Sequence, residues 1–124
     1  MELIIGGAFQ GKLTYAVEKY GLRAEDLFDL SAGFPGEEHR CFYHLEALTR
    51  LASKAGLTAP EIVDKLKPYM GNSVVISREI GCGVVPMEPE ERLYRERHGA
   101  VLQALAREAV SVTRIFCGLP ETLK

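Results

Sequence analysis

The sequence predicts an α/β domain in which helices cover both faces of a small, mostly parallel β-sheet. Short apolar runs end at glycines or other small residues, amphipathic segments follow them, and the two kinds alternate along the 124 residues. Strands that alternate with helices are typical of parallel sheets, because each helix returns the chain to the start of the next strand. A chain of this length suits one domain, so we expect a single domain over 1–124.

The first half of the chain contains two predicted strands and two predicted helices. The apolar run 2–5 ends at glycines, which is typical of a buried parallel strand, and residues 12–20 follow as a helix that a glycine ends. The apolar run 26–30, followed by small residues, predicts the second strand. Apolar side chains then recur every three or four residues over 37–55, which predicts a longer helix.

The second half contains two helices and two strands. A threonine cap, a proline in the first turn and a glutamate three residues after the threonine begin a helix over 58–69. Three consecutive β-branched residues within 73–77 give the clearest strand signal. The stretch 78–87, which contains glycines and a proline, is predicted as a loop. A helix over 89–109 precedes a last strand over 110–117, which the glycine and proline after it are expected to end.

Charge and cysteine content exclude several classes of protein. The formal net charge is −2, from 15 Lys and Arg against 17 Asp and Glu, so no nucleic-acid partner is expected. Cys41, Cys82 and Cys117 form no C-x-x-C pair, which argues against a disulfide framework or a zinc site. Cys117 is expected in the core at the end of the last strand. With free thiols, no basic leader and no apolar run of spanning length, we expect a cytoplasmic protein without a membrane partner.

A glycine-rich segment between the first strand and the first helix carries the main motif. Gly6-Gly7-Ala8-Phe9-Gln10-Gly11-Lys12 has the G-x-x-x-x-G-K spacing of the first half of a phosphate-binding loop, the P-loop. Its glycines let backbone N–H groups wrap a phosphate, the following helix adds the positive end of its dipole, and the lysine reaches the outer phosphates. The predicted nucleoside-triphosphate site consists of Gly6, Gly7, Ala8, Phe9, Gln10, Gly11, Lys12, Leu13 and Thr14.

The residue after the lysine departs from this motif. A serine or threonine normally follows, and its hydroxyl binds the Mg²⁺ that accompanies the nucleotide. Leu13 has no hydroxyl, and Thr14 points about 100° away around the helix. No metal ligand is therefore assigned, and Mg²⁺ is left open as a cofactor. Two alternatives also stay open: a loop that binds nucleotide without efficient catalysis, and a glycine turn that binds no ligand.

Two carboxylates join Lys12 as candidate catalytic residues. Glu79 follows a buried-type strand at the carboxyl end of the sheet, where it could hold Mg²⁺, position water or deprotonate a hydroxyl. The alternative for Glu79 is an ion pair in a surface loop. Asp29 ends the second strand and could take the acidic role of a Walker B residue, or it could form a turn or cap a helix.

Basic residues and histidines form a second set of candidates. Arg92, Arg95, Arg97 and His98 lie on one predicted helix, where they could face phosphate or a partner subunit. Glutamates interleave with them, which favours a solvated, salt-bridged face. His44 lies beside apolar residues of a predicted helix, so a packed or surface histidine is favoured over a catalyst.

Three segments of the chain carry a resemblance to a known family. The first is 4–12, which holds the strand and the phosphate loop. The second is 75–86, V-I-S-R-E-I-G-C-G-V-V-P, whose glutamate, glycines and proline are spaced as in an N-E-V-G-x-G-I-V-P segment. The third lies within 92–124 and includes R-x-x-R-E, a glycine, Q-x-L-A and the final leucine and lysine. These segments cover more than half of the chain, and they resemble the adenosylcobinamide kinase/adenosylcobinamide-phosphate guanylyltransferase family of cobalamin synthesis.

The resemblance implies a P-loop NTPase-like, three-layer fold, ATP or GTP as phosphate donor, and a corrinoid alcohol as acceptor. The family phosphorylates the aminopropanol hydroxyl of adenosylcobinamide, then transfers GMP to that phosphate through a guanylylated histidine. Its members often assemble as trimers, so the resemblance also implies a homo-oligomer. The chain is shorter than the family norm in the middle, where that histidine and an acidic strand normally lie, and His39 is the nearby candidate. The alternative function is a degenerate P-loop binding domain or regulatory subunit without transferase activity.

Overall fold

One β-sheet forms the centre of the computed structural model, which describes residues 1–8, 10–80 and 88–124. Its strands are β1 (Glu2–Gly6), β2 (Leu27–Asp29), β3 (Cys41–Tyr43), β4 (Val74–Arg78), β5 (Ser111–Phe116) and β6 (Leu119–Thr122). Within the described residues, their order in the sheet is β2–β3–β4–β1–β5–β6. Neighbouring strands are parallel except β5 and β6, which are antiparallel. The loop after β1 therefore opens at the carboxyl edge of the sheet, where open α/β sheets bind their ligands.

Several helix ends lie at the local signals of the sequence. They are α1 (Lys12–Tyr20), α2 (Leu45–Lys54), α3 (Ala59–Leu66) and α4 (Pro89–Glu108). Gly21 ends α1 with a φ of 61°, as predicted for a helix C-terminus. At the start of α3, the Thr58 side chain accepts a hydrogen bond from the Glu61 backbone N–H, and the Glu61 carboxylate accepts one from the Thr58 N–H at 3.0 Å. The predicted capping box is therefore confirmed.

Helices cover both faces of the sheet, and each face has its own apolar cluster. Successive residues of β1 point to opposite faces, so Leu3 belongs to one cluster and Ile4 to the other. The Leu3 face packs against α2, α3 and α4, with Leu48 and Leu105 buried in the contact. The Ile4 face packs against α1 through the buried Ala16. The result is a three-layer α/β architecture with a mostly parallel sheet, which confirms the predicted fold class.

The helix predicted over 37–55 is wrong in its first half. The segment Cys41–Tyr43 is β3, which pairs in parallel with β2 and β4, and α2 begins only at Leu45. The first two residues of β3 are fully buried, as expected for a strand inside a sheet that is covered on both faces. His44 has a φ of 63° and turns the chain from strand to helix. The apolar spacing that suggested one helix therefore came from two different elements.

The end of the chain also differs from the prediction. Cys117 and Gly118 have φ values of 51° and 75°, and they reverse the chain into β6 instead of ending the sheet. Cys117 is exposed in this turn, so its expected place in the core is wrong. β6 tolerates Pro120 because an edge strand needs no hydrogen-bond donor on its outer side.

Candidate functional site

The loop after β1 depends on two glycines for its path. A Cβ on Gly6 would lie 2.6 Å from the backbone oxygen of Ile115 on β5, so only glycine fits where these strands approach. Gly11 has a φ of 84° and forms the N-cap of α1, where no side chain caps the helix. The first N–H groups of α1 are thus left without a side-chain acceptor, which is the arrangement that binds anions at helix N-termini.

Lys12 folds back over this loop. Its Nζ donates a hydrogen bond to the Gly7 backbone oxygen at 2.7 Å. Burial lowers the pKa of Lys12, and the charge of Arg78 adds to this, whereas the carboxylates of Glu46 and Glu79 oppose it. The ammonium group is therefore partly desolvated and adjacent to the loop backbone, where a bound phosphate would stabilise its charge.

Gln10 ties the loop to the turn between β5 and β6. The Cys117 backbone N–H donates to Gln10 Oε1 at 2.5 Å, and the Gly118 N–H donates to the Gln10 backbone oxygen at 3.0 Å. The sequence predicted Gln10 only as part of the loop. This tether was missed because it joins positions more than 100 residues apart, which no local pattern reveals.

A cleft of about 900 Å³ lies between the loop and the helices α2 and α4. Six predicted binding residues lie on its wall: Ala8, Gln10, Gly11, Lys12, Leu13 and Thr14. Gly6 and Gly7 are not on the wall, and Phe9 lies outside the described residues. The charged residues described on the wall are Lys12, Arg50, Lys54, Arg78 and Arg95, against Glu46 and Glu91. Because basic side chains outnumber acidic ones, the cleft suits a polyanion.

Asp29 reaches the site through a histidine. Its Oδ1 accepts hydrogen bonds from the Ser31 backbone N–H and from His44 Nδ1, both at 2.9 Å. Partial burial acts to raise the pKa of Asp29, but the hydrogen bonds from Ser31 and His44 outweigh it, and the pKa is lowered. Asp29 thus caps the short helical turn Leu30–Ala32, which was its structural alternative, and it also orients the His44 ring.

His44, not Asp29, lies on the cleft wall. Since a carboxylate only accepts, Nδ1 of His44 carries the proton toward Asp29, and Nε2 of the neutral ring is an acceptor. The interpretation of His44 as a packed or surface residue of a helix missed this position. If Cys41–Tyr43 had been predicted as a strand, His44 would have been placed at the carboxyl edge of the sheet, because it directly follows that strand.

Glu79 lies beside the loop but not among the described wall residues. Its backbone N–H donates to the Gly6 oxygen at 2.7 Å, and its Oε2 accepts from Arg114 Nε at 3.1 Å. The carboxylate therefore forms an ion pair, as in the alternative interpretation, while its backbone links the end of β4 to the start of the loop. Gly81, Cys82 and the rest of the segment through residue 87 lie outside the described residues.

The helix α4 supplies the opposite wall. Arg50 of α2 forms two hydrogen bonds with Glu91, at 2.7 and 3.0 Å, and its guanidinium lies 4.0 Å from the centre of the Tyr94 ring. The Tyr94 hydroxyl donates to the Glu46 backbone oxygen at 3.0 Å. These contacts join α2 directly to α4 at the wall of the cleft, and the sequence patterns did not indicate them.

The basic stripe predicted on α4 separates into different environments. Arg95 lies on the cleft wall, whereas Arg97 donates to the backbone oxygen of Ser53 at 3.0 Å. His98 is fully buried, with Nδ1 3.0 Å from Thr49 Oγ1 and Nε2 3.0 Å from Ser77 Oγ. The hypothesis that His98 faces phosphate or a partner is therefore wrong, because its ring closes a buried network between α2, β4 and α4.

His39 lies at the amino ends of the parallel strands, on the side of the sheet opposite the loop. It precedes β3, whereas the loop follows β1, and parallel strands place these two ends on opposite sides. Its ring packs against Phe28 and Phe42, with centroids 5.1 and 5.7 Å away. Of the three histidines in the chain, His44 is the one on the wall of the cleft.

The wall also contains a group suited to a nucleotide-bound Mg²⁺. Leu13 offers no oxygen, and no cluster of three or more His, Cys, Asp or Glu side chains suited to a metal occurs within the described residues. However, Oε2 of Glu46 is buried and has no hydrogen-bond partner among the described groups. A single carboxylate together with phosphate oxygens and water is a common setting for Mg²⁺, so the residues present fit this ion.

Comparison with known proteins gives one family. The model of the cobinamide kinase / cobinamide phosphate guanyltransferase family matches residues 41–123, which is more than half of the chain. No curated protein matches the chain. Across the described ranges, no helix combines the length and apolar character needed to cross a membrane. The match begins after the loop 6–12, so the prediction that this loop binds phosphate depends on its own motif and geometry. The chain belongs to the cobinamide kinase / cobinamide phosphate guanyltransferase family, which acts in cobalamin synthesis.

Proposed function

We propose that this protein binds ATP or GTP over the loop 6–12 and transfers the terminal phosphoryl group to the hydroxyl of a cobinamide. The observation that carries this proposal is the position of the loop, because Lys12 and the uncapped start of α1 both border a cleft of about 900 Å³ with a mainly basic wall. Phosphoryl transfer depends mostly on positioning and on stabilising negative charge, which such a wall supplies. Membership of the family supports cobinamide as the acceptor.

Each group of the site has a place in this reaction. The acceptor hydroxyl oxygen bonds to the γ-phosphorus, the bond from that phosphorus to the β-phosphate oxygen breaks, and the nucleoside diphosphate leaves. Lys12 and the N–H groups of α1 stabilise charge on the phosphates. Mg²⁺, when bound, neutralises charge on the phosphate oxygens. Nε2 of His44 accepts the proton of the acceptor hydroxyl, while Asp29 holds the ring.

Transfer of label from γ-labelled ATP or GTP to cobinamide tests the proposal. We expect labelled cobinamide phosphate with the native protein, and with Lys12→Ala a nucleotide affinity about 10- to 100-fold weaker, since a hydrogen bond to a charged group is worth about 1.5–3 kcal/mol. Lys19→Ala is the matched control, because Lys19 lies in the last turn of the same helix. Unchanged affinity in Lys12→Ala contradicts the nucleotide site itself.

The role of His44 has its own test. His44→Gln should slow phosphoryl transfer by about 10²- to 10⁴-fold, the usual contribution of a general base, and leave nucleotide affinity near the native value. Asp29→Asn should slow it by a comparable factor, because the asparagine amide can donate to Nδ1 and so place the ring proton on Nε2, where it blocks the base. Equal rates for the native protein and His44→Gln would exclude this histidine as the base.

The missing hydroxyl at Leu13 favours a second candidate, a nucleotide-binding subunit without transferase activity. Both candidates require nucleotide binding, but only the first produces cobinamide phosphate. Binding without transfer to cobinamide under any Mg²⁺ concentration would therefore leave the binding subunit and exclude the kinase.

Guanylyl transfer is the second reaction named for the family, and His44 is our candidate for it in this chain. In that reaction Nε2 would bond to the α-phosphorus of GTP, and pyrophosphate would leave. Acid-labile label from α-labelled GTP should then appear on the native protein and on a His39→Gln variant, but not on His44→Gln. Label that depends on His39 would contradict this assignment.

A further inference from the structure

Glu46 occupies a defined place on the wall of the cleft. It is the second residue of α2, which begins directly after β3 and the His44 turn, so it lies at the carboxyl edge of the sheet with the phosphate loop. Its backbone oxygen accepts from the Tyr94 hydroxyl at 3.0 Å, which fixes the first turn of α2 against α4. The backbone that carries this carboxylate is therefore held in position on the wall.

One oxygen of this carboxylate is left unsatisfied. Oε2 of Glu46 is buried, and it is the one buried side-chain nitrogen or oxygen without a hydrogen-bond partner in the part of the chain that the structure describes. Buried polar atoms in folded proteins are almost always paired, and an exception requires an explanation such as a ligand or an ion. Because Glu46 itself lines a ligand-sized cleft, a ligand that enters this cleft is the favoured explanation.

The charge of this carboxylate acts on the phosphate loop. Burial has the largest effect on the pKa of Lys12 and lowers it. Among the neighbouring charges, Glu46 has the largest effect, and it acts in the opposite direction, toward a protonated ammonium group. The hydrogen bond that the structure shows for Lys12 nevertheless goes to the Gly7 backbone oxygen and not to Glu46. The carboxylate is therefore close enough to influence the loop lysine, while one of its oxygens stays unpaired.

The loop itself lacks an oxygen at the position that normally binds the metal. Leu13 replaces the usual hydroxyl residue, and its side chain packs partly against the apolar cluster on the α1 face of the sheet. A nucleoside triphosphate carries Mg²⁺ on its phosphates, and this ion prefers carboxylate oxygens, phosphate oxygens and water as ligands. A carboxylate on the wall of the same cleft has the chemistry to replace the missing hydroxyl.

We propose that Glu46 supplies the protein oxygen that holds the Mg²⁺ of the bound nucleotide, in place of the hydroxyl that Leu13 lacks. This inference rests on the proposed nucleotide site. It assigns a metal-binding role to a residue outside the phosphate loop. Loss of the carboxylate should therefore weaken nucleotide binding in the presence of Mg²⁺ and not in its absence.

The dissociation constant of ATP, measured by calorimetry with excess Mg²⁺ and again with EDTA, tests this role. The native protein should bind about tenfold or more tightly with Mg²⁺, and Glu46→Gln should reduce that ratio to about one, because glutamine offers the ion a neutral oxygen instead of a carboxylate. Glu90→Gln is the matched control, since Glu90 is an exposed carboxylate on α4 and is not among the described residues of the cleft wall. This variant should keep the native ratio of the two dissociation constants.

Mn²⁺ gives a direct readout of the metal. The electron paramagnetic resonance spectrum of Mn²⁺ with ATP and protein should show protein-bound Mn²⁺ for the native chain and Glu90→Gln, and much less for Glu46→Gln at nucleotide concentrations that saturate each variant. Glu46→Asp, which keeps a carboxylate on a shorter side chain, should restore part of the signal. If the glutamine variant fails the thermal-unfolding check of its fold, Glu46→Ala, which also removes the carboxylate, replaces it in the comparison.

Three results would overturn the inference and are distinguishable from failure of the proposed function. If ATP affinity in Glu46→Gln changes between Mg²⁺ and EDTA by the same factor as in the native protein, the metal role is excluded and the nucleotide site is left intact. An equal loss of affinity with and without Mg²⁺ shows that Glu46 acts on Lys12 instead. A native protein that binds ATP equally with Mg²⁺ and EDTA has no metal for Glu46 to hold. If the native protein binds no nucleotide under either condition, the proposed function fails as well.

Discussion

Gly6 is the position at which a single added methyl group should test the packing of the site. It ends β1, and an added Cβ would lie 2.6 Å from the Ile115 backbone oxygen on β5. Gly7, the next residue, offers a matched comparison, because its added Cβ would meet only the flexible Gln10 side chain, at 3.6 and 3.8 Å. Neither glycine has a positive φ, so both substitutions to alanine test space and not backbone strain.

The expected cost of Gly6→Ala follows from this distance. Ordinary contact begins near 3.4 Å, so the backbones of β1 and β5 must separate by about 0.8 Å at this point. Such a shift stretches the ladder hydrogen bonds beyond their normal range, and overpacking of this kind costs about 1–3 kcal/mol. For a chain of this size, about 4 °C of melting temperature corresponds to each kcal/mol, so the loss should be about 4–12 °C.

Thermal and urea unfolding of the two variants supply the measurement. Both lose the same flexibility of glycine in the unfolded chain, which stabilises an alanine variant by about 0.4–1 kcal/mol, so the difference between them isolates the steric term. Gly7→Ala should be as stable as the native protein or slightly more stable. If Gly6→Ala matches Gly7→Ala in both assays, the close approach of β1 and β5 does not constrain the loop.

Further predictions concern buried and capping groups. Burial lowers the pKa of His98, so the unfolded state binds more protons than the folded state below about pH 6.5. The free energy of unfolding should therefore fall as the pH drops below that value. Measured by urea unfolding from pH 7.5 to 5.5, this free energy should depend less steeply on pH in His98→Gln than in the native protein. Each unit of that shift corresponds to about 1.4 kcal/mol. Thr58→Ala removes the cap of α3 and should cost about 1 kcal/mol in thermal unfolding. Gln10→Ala removes the acceptor of the Cys117 N–H and should cost about 0.5–1.5 kcal/mol and weaken nucleotide binding in calorimetry.

Local signals predicted much of the fold. The start of α1 at Lys12, its end at Gly21 and the capping box of α3 all depend on residues within one or two turns of each other. Such interactions can be read from short segments, because the physical causes, a left-handed glycine or a reciprocal hydrogen bond, lie within those segments. The phosphate loop over 6–12 was predicted from a motif of the same local kind, and it stays a prediction.

The two short strands β3 and β6 were not predicted from the sequence. Cys41–Tyr43 has apolar spacing that continues into α2, and only its position between β2 and β4 makes it a strand. β6 was missed because its backbone hydrogen bonds are made with β5 after a tight reversal of the chain. For short segments, the partner in the sheet and not the intrinsic preference decides the conformation.

The sequence by itself determined the class of the fold and the absence of a hydroxyl at Leu13, and it predicted a phosphate loop over 6–12. The tertiary structure alone decided which side chains share the cleft with that loop. It brought Asp29 to His44 across 15 residues, and it placed Glu46 on the same wall with an unpaired oxygen. Contacts of this kind depend on how separate elements pack at the carboxyl edge of the sheet, and a periodic pattern within one element carries no information about them.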